Sequence, residues 1–101
     1  MSAVAEPWLP RRALVVGLAR SGQAAALALR RRGVEVVAAD RSRAVGASRL
    51  VEAGVEVQLG SEEVSLLDTV DLVVKSPGVP AEAALVAEAR ARGVRVWAEL
   101  E

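Results

Sequence analysis

Neither cysteine nor histidine occurs among the 101 residues. Their absence excludes disulfides, thiol nucleophiles, histidine general bases and ordinary zinc sites together. Phenylalanine and tyrosine are missing as well, so two tryptophans are the only aromatics. A core must then be assembled from valine, leucine and alanine, which suits valine-rich strands alternating with alanine- and leucine-rich helices. No apolar run approaches the ~18 residues of a membrane span. Met1 to Pro10 carries Glu6 and two prolines and lacks an apolar signal core, so a cytoplasmic setting is expected. Thirteen basic residues balance thirteen acidic ones, and no lysine or arginine block forms a stripe along the sequence. Nucleic acid is therefore not an expected partner.

What is present is organised around Arg12-Ala13-Leu14-Val15-Val16-Gly17-Leu18-Ala19-Arg20-Ser21-Gly22-Gln23. An apolar run stops at a glycine, five residues later a second glycine follows, and an alanine-rich helical pattern begins. A buried parallel strand, a tight turn and a helix N-terminus read this way. Gly17 frees the backbone to turn, Gly22 lets the helix sit close to the strand, and Ser21 stands beside the first helical turn as a donor or acceptor. Unpaired N–H groups at the helix start, together with its dipole, suit a phosphate or diphosphate. Ala19 stands where the dinucleotide fingerprint has its middle glycine, which hinders close approach of a pyrophosphate. A glycine-punctuated strand–helix corner with no ligand is the alternative reading of the same stretch.

The rest of the chain repeats this construction. Residues 1–11 are expected to be an irregular lead-in, with Trp8 and Leu9 covering the core edge, and 12–101 a single domain. Strands are expected at Ala13–Val16, Val34–Ala39, Val55–Leu59, Val70–Val74 and Val94–Trp97. Helices are expected at Gly22–Arg32, Ala47–Ala53, a short stretch through Leu67 capped by Ser61 with Glu62 and Glu63, and Ala81–Arg92. Arg30, Arg31 and Arg32 read as a solvated helix end whose charge offsets the dipole. Gly33, Gly54 and Gly93 each stop a helix ahead of a valine-rich strand. Alternating strands and helices imply right-handed crossovers and a Rossmann-like three-layer α/β domain. Its five-stranded parallel sheet is expected in the order 3-2-1-4-5. The switch point then falls between strands 1 and 4, at the mouth formed by Gly17–Gly22 and Lys75–Gly78.

Asp40 ends the second strand 23 positions after Gly17 (40 − 17). Dinucleotide-binding units place a ribose-binding acid roughly 20 positions on. Lys75 ends the fourth strand toward the same crevice. It is followed by Ser76, Pro77 and Gly78, a turn in which Pro77 fixes one dihedral and Gly78 permits a positive φ. No phosphate-transfer sequence of the G-x-x-x-x-G-K-[ST] kind occurs, and Glu62 and Glu63 are accounted for by a helix dipole. The chain reads as a binding module for a nucleotide or its diphosphate, and no catalytic residues are assigned.

Val15-Val16-Gly17-Leu18-Ala19-Arg20-Ser21-Gly22, then Asp40, then Ser76-Pro77-Gly78-Val79, then Glu99-Leu100-Glu101, resembles the N-terminal domain of the Mur ligases. The resemblance covers nearly all of residues 12–101. It implies a domain that holds the uridine diphosphate part of a sugar nucleotide. Within the family the pattern is most similar to the member that adds D-glutamate to UDP-N-acetylmuramoyl-L-alanine in peptidoglycan synthesis. Carried onto this chain, Arg20 and Ser21 fall where the family's turn meets the diphosphate, Asp40 and Arg41 in the uridine-contacting loop, and Gly78 in the turn approaching the nucleotide. Ser42 stands where the family commonly has a basic residue, with Arg41 and Arg43 on either side. The resemblance also implies that the ATP site, with its magnesium, and the amino-acid site belong to later domains of a parent enzyme. This chain is then inactive alone, with no cofactor of its own. The competing reading is a stand-alone NAD(H)-binding regulatory domain, which would use the same turn and the same aspartate on an adenosine ribose.

Overall fold

The computed structural model describes residues 9–43, 45–80 and 83–98. Apolar valine- and leucine-rich segments form five strands: β1 (Arg12–Val16), β2 (Glu35–Asp40), β3 (Glu56–Leu59), β4 (Leu72–Lys75) and β5 (Arg95–Trp97). Between them lie α1 (Arg20–Arg31), α2 (Ser48–Glu52), a 3-10 turn at Val64–Leu67 and α3 (Ala84–Ala91). All neighbouring strands are parallel, in the order β3-β2-β1-β4-β5, as the repeated β-α grammar requires.

Side chains alternate across the sheet, so β1 divides its residues between two cores. Ala13 and Val15 join Val36, Ala38, Leu72 and Val74 beneath α1 and α2, where Ala26, Leu29 and Leu50 complete the cluster. Leu14 and Val16 join Val37, Ala39 and Val73 on the other face, closed by Leu67, Leu85 and Ala89. The central strands β1 and β4 are buried on both faces, whereas β3 and β5 lie at the edges. Leu9 packs against the first cluster, as expected of a residue covering the core edge. Trp8 and the expected Glu99-Leu100-Glu101 end lie outside the described residues.

Several boundaries differ from the sequence reading. Helix α1 begins at Arg20, two residues before Gly22, with Ala19 as an N-cap that supplies no side-chain bond. Strand β4 begins at Leu72 instead of Val70, because Val70 sits in the preceding turn as part of the second core. Ser61, Glu62 and Glu63 do not cap an acidic helix. The segment is a 3-10 turn entered through an extended Glu63, with no side-chain cap. The described part of the last helix begins at Ala84, and the expected first turn at 81–82 lies outside the described residues.

Glycine stops are where expected. Gly33 and Gly93 have φ of 86° and 79°, and Val34 and Val94 donate back to Leu29 and Ala89 across them. At the amino ends of the strands, Arg12 bridges Glu35 and Glu56 at 3.1 and 3.3 Å, tying β1 to both outer neighbours on that side. There Asp71 also accepts the backbone N–H groups of Arg12 and Arg11 at 3.0 and 3.1 Å. Partial burial opposes ionisation of Asp71, but those backbone donors outweigh it and hold its carboxyl below the usual value.

Candidate functional site

The carboxyl ends of β1, β2 and β4 meet where the strand order reverses, and three loops converge there. After β1 the chain turns at Gly17, whose φ is +92°. Its N–H donates to the Ala39 carbonyl of β2 at 2.8 Å. Its carbonyl accepts the Ser76 hydroxyl from the loop after β4, also at 2.8 Å. A β-carbon at Gly17 would press on Val79 at 2.6 Å, so the residue is both bent and confined. Gly22 is confined differently. A β-carbon there would collide with the Gly17 carbonyl oxygen and approach Ser76 Oγ at 2.5 Å. Gly17 is thus required by its backbone conformation and the loop after β4, and Gly22 by close contact of α1 with the β1 turn.

The first intrahelical bond of α1 runs from the Gln23 N–H to the Ala19 carbonyl at 3.0 Å. The amides of Arg20, Ser21 and Gly22 therefore have no intrahelical acceptor, and they sit at the positive end of a 12-residue helix. This is the chemistry of an anion cradle.

Asp40 lies beside that cradle with both carboxylate oxygens engaged. One accepts the Leu18 N–H at 2.7 Å, and the other accepts the Ser42 N–H at 2.8 Å. The aspartate that the sequence offers as a ligand acceptor is first a clasp between the β1 turn and the loop after β2. Each oxygen keeps a further acceptor direction. Gln23, which sequence reading passed over, reinforces the clasp by donating to the Leu18 and Gly46 carbonyls at 3.1 and 3.0 Å. An amide side chain in the first turn of α1 was the signal available.

A hollow of about 120 Å³ opens at this mouth, lined in part by Gly17, Asp40, Arg41, Glu62, Gly78 and Val79. Arg41 is exposed and reaches Glu62 at 3.9 Å across it. Glu62 therefore faces the mouth, a position that its earlier reading as helix-dipole complement does not give.

Lys75 is buried at the end of β4, and its ammonium donates to the Val79 carbonyl at 2.6 Å. It closes its own turn instead of presenting a free cation to the crevice. Ser76 is buried and committed to Gly17. Gly78 is not among the positive-φ glycines. It borders the mouth with open space where a β-carbon would stand, so its turn needs no left-handed residue. Arg20 lines a separate hollow on the α1–α2 flank and is not among the residues that line the mouth. The Ser21 hydroxyl makes no cap, while Ser42 contributes its backbone N–H to the Asp40 clasp.

A wider hollow, about 870 Å³, lies at the opposite end of the sheet among Arg11, Arg12, Glu35 and Asp71. There Arg12 pairs with Glu35, and Asp71 accepts the backbone N–H groups of Arg11 and Arg12.

Residues 11–98 match the family model described as Mur ligase MurD-like, N-terminal domain. A UDP-N-acetylmuramoylalanine–D-glutamate ligase of Shouchella clausii is 46% identical over 94 residues, covering 90% of this chain and 21% of that protein. The enzyme of the same name from Rubrobacter xylanophilus is 47% identical over 91 residues, covering 89% and 20%. The chain thus spans about one fifth of the length of these curated relatives. Among solved structures, a murein peptide ligase from Psychrobacter arcticus superposes with a TM-score of 0.75 at 20% identity, over 85% of this chain and 18% of that one. At that identity the likeness speaks for the fold.

Proposed function

Since the chain belongs to the Mur ligase MurD-like N-terminal domain family, we infer that it holds the uridine diphosphate end of UDP-N-acetylmuramoyl-L-alanine. The parent enzyme in this reading is an ATP-dependent ligase that joins D-glutamate to that substrate in peptidoglycan synthesis. ATP and its magnesium would bind in the remaining four-fifths of the parent, and this domain alone would not form the peptide bond.

The observation that carries the reading is the Asp40 clasp. It fixes the Leu18 amide and the loop 41–43 beside the open amides of Arg20, Ser21 and Gly22, so a diphosphate cradle and a second, polar loop face one mouth. In this arrangement the amides take the diphosphate, and Asp40, Arg41 and Ser42 take the uridine side. Gly78 leaves room over the mouth, while Lys75 and Ser76 hold the facing turn in place. A hollow of about 120 Å³ is well below the ≈ 300–1,000 Å³ of complete ligand sites, which suits a domain that encloses only one end of its substrate.

The NAD(H) reading gains no support from this geometry. It would use the same turn and the same Asp40, but Ala19 stands where the dinucleotide fingerprint has its middle glycine. The test is an NMR titration of the chain with UDP, NADH and pyrophosphate. UDP should move the amides of 17–22 and 40–42 at lower concentration than NADH does. The reverse order would replace this reading with the regulatory one.

A further inference from the structure

Helix α1 presents Arg20, Leu27 and Arg31 along one flank, and α2 faces it with Arg49. Two hollows, about 560 and 540 Å³, share Leu27, Arg31 and Arg49 and so form one trough between the helices. Arg20 and Arg31 stand eleven residues apart on α1, so the trough runs about 16 Å along the helix. Leu27 is half-buried against the core and forms an apolar floor, while Arg20, Arg31 and Arg49 are exposed above it. Their side chains make no ion pair or hydrogen bond among the described residues.

The balance of charge in the trough is strongly one-sided. Helix α1 contains no acidic residue. Arg30 adds a fourth cation, although its guanidinium also donates to the Ala53 and Val34 carbonyls. Glu52 is the one carboxylate in the lining, and it forms no ion pair with Arg49 three residues before it. Arg30 and Arg31 complement the negative end of the α1 dipole, so helix stability accounts for them. The same dipole disfavours a cation at Arg20, the first residue of α1, and leaves that guanidinium unexplained by local structure. The stripe is also invisible in the linear sequence, because Arg20, Arg31 and Arg49 come together only when α2 folds against α1.

We propose that this trough docks an acidic amphipathic helical segment of a separate polypeptide. Its carboxylates would meet Arg20, Arg31 and Arg49, and an apolar residue would rest on Leu27. Guanidinium groups suit carboxylate partners through paired donors, and a trough with an apolar floor suits a helix laid lengthwise. A bilayer is disfavoured by shape, since the apolar residue lies beneath the charges instead of projecting beyond them. Single-stranded nucleic acid is disfavoured because no aromatic platform lines the trough.

The test uses the whole chain and a labelled helical peptide about three turns long, with glutamates and leucines on one face, beside its glutamine-for-glutamate sibling. The acidic peptide should shift the amides of Leu27, Arg31 and Arg49, and its affinity should fall steeply with added salt. Arg31→Gln with Arg49→Gln should weaken it about tenfold while UDP affinity stays unchanged. If those variants fail to fold, the salt dependence and the comparison with the glutamine peptide on the unaltered chain still decide the matter. Equal binding of the two peptides overturns the proposal. So does preferential binding of phosphatidylglycerol vesicles or of a single-stranded oligonucleotide. Failure of UDP to bind would count against the nucleotide reading alone.

Discussion

The carboxylate of Asp40 accepts the backbone N–H of Leu18 at 2.7 Å, joining the end of β2 to the turn that follows β1. A residue expected to read a ligand is therefore also a structural part of the cradle. Asp40→Asn keeps one acceptor but turns an N–H₂ toward one of two backbone donors. It should cost about 1–3 kcal/mol, the range for losing a hydrogen bond to a charged group or leaving a buried donor unpaired. Binding of both UDP and pyrophosphate should weaken, because the cradle loosens as a whole. Denaturant melts and NMR titrations check this, and an unmoved Leu18 amide in the variant would contradict it.

The two kinds of glycine should respond differently to alanine. At Gly33 or Gly93 nothing lies within reach of a new β-carbon, so the cost is that of a left-handed backbone, about 1–2 kcal/mol. Gly22→Ala drives a methyl group into the Gly17 carbonyl and Ser76, so α1 must move off the strand. A penalty of about 1–3 kcal/mol or more, with lost UDP binding, is expected from such overpacking. Midpoints of chemical denaturation for the three variants test the ranking, and equal UDP affinity in Gly22→Ala would refute the contact.

Lys75→Met separates a turn-closing role from a ligand-contacting one. Methionine replaces most of the buried stem but leaves the Val79 carbonyl without its donor. Stability should fall by about 1–3 kcal/mol. UDP affinity of the folded variant should change less than about twofold, equivalent to roughly 0.4 kcal/mol. A loss of tenfold or more, measured by calorimetry on folded protein, would show that the ammonium reaches the ligand.

Acid should release the amino-end staple that Asp71 forms. Asp71 has its folded-state pKa held below the ordinary 3.8, mainly by backbone N–H donors that overcome the effect of burial. Its contribution to stability is therefore full above about pH 4 and is lost as pH falls through the lower folded-state value. Asp71→Asn should flatten that part of the stability profile and leave the profile above pH 5 parallel to the parent's. Melting temperature against pH in both proteins provides the comparison, and an unchanged slope below pH 4 would remove Asp71 from the account.

Much of the architecture could be read from the chain because its signals are local. Valine-rich runs, glycine stops at 33, 54 and 93, and alternation of strand and helix patterns together prescribe a parallel sheet and its order. The spacing from Gly17 to Gly22 and on to Asp40 also located the mouth. What escaped was decided by contacts between distant segments. Nothing near Lys75 in sequence says that its ammonium will turn back to Val79. The start of α1 was misplaced because Ala19 enters the helix without a capping side chain. Gln23 and Glu62 acquire their positions only when loops from three strands converge, and the arginine trough only when α2 packs on α1.

The strand order also decides the sequence of events when the chain folds. Pairings β1–β2, β2–β3 and β4–β5 join residues 23, 19 and 23 positions apart, as the registers 12–35, 37–56 and 72–95 show. The central pairing β1–β4 joins residues 13 and 72, 59 positions apart. Closing the longer loop costs about 0.8 kcal/mol more in chain entropy, so a two-piece route is favoured, with the seam between β1 and β4 sealing late. Gly17 and Ser76 lie on opposite sides of that seam, and so do the walls of the mouth. A nucleotide held there would act as a rivet across the last joint to form, slowing unfolding more than it speeds folding.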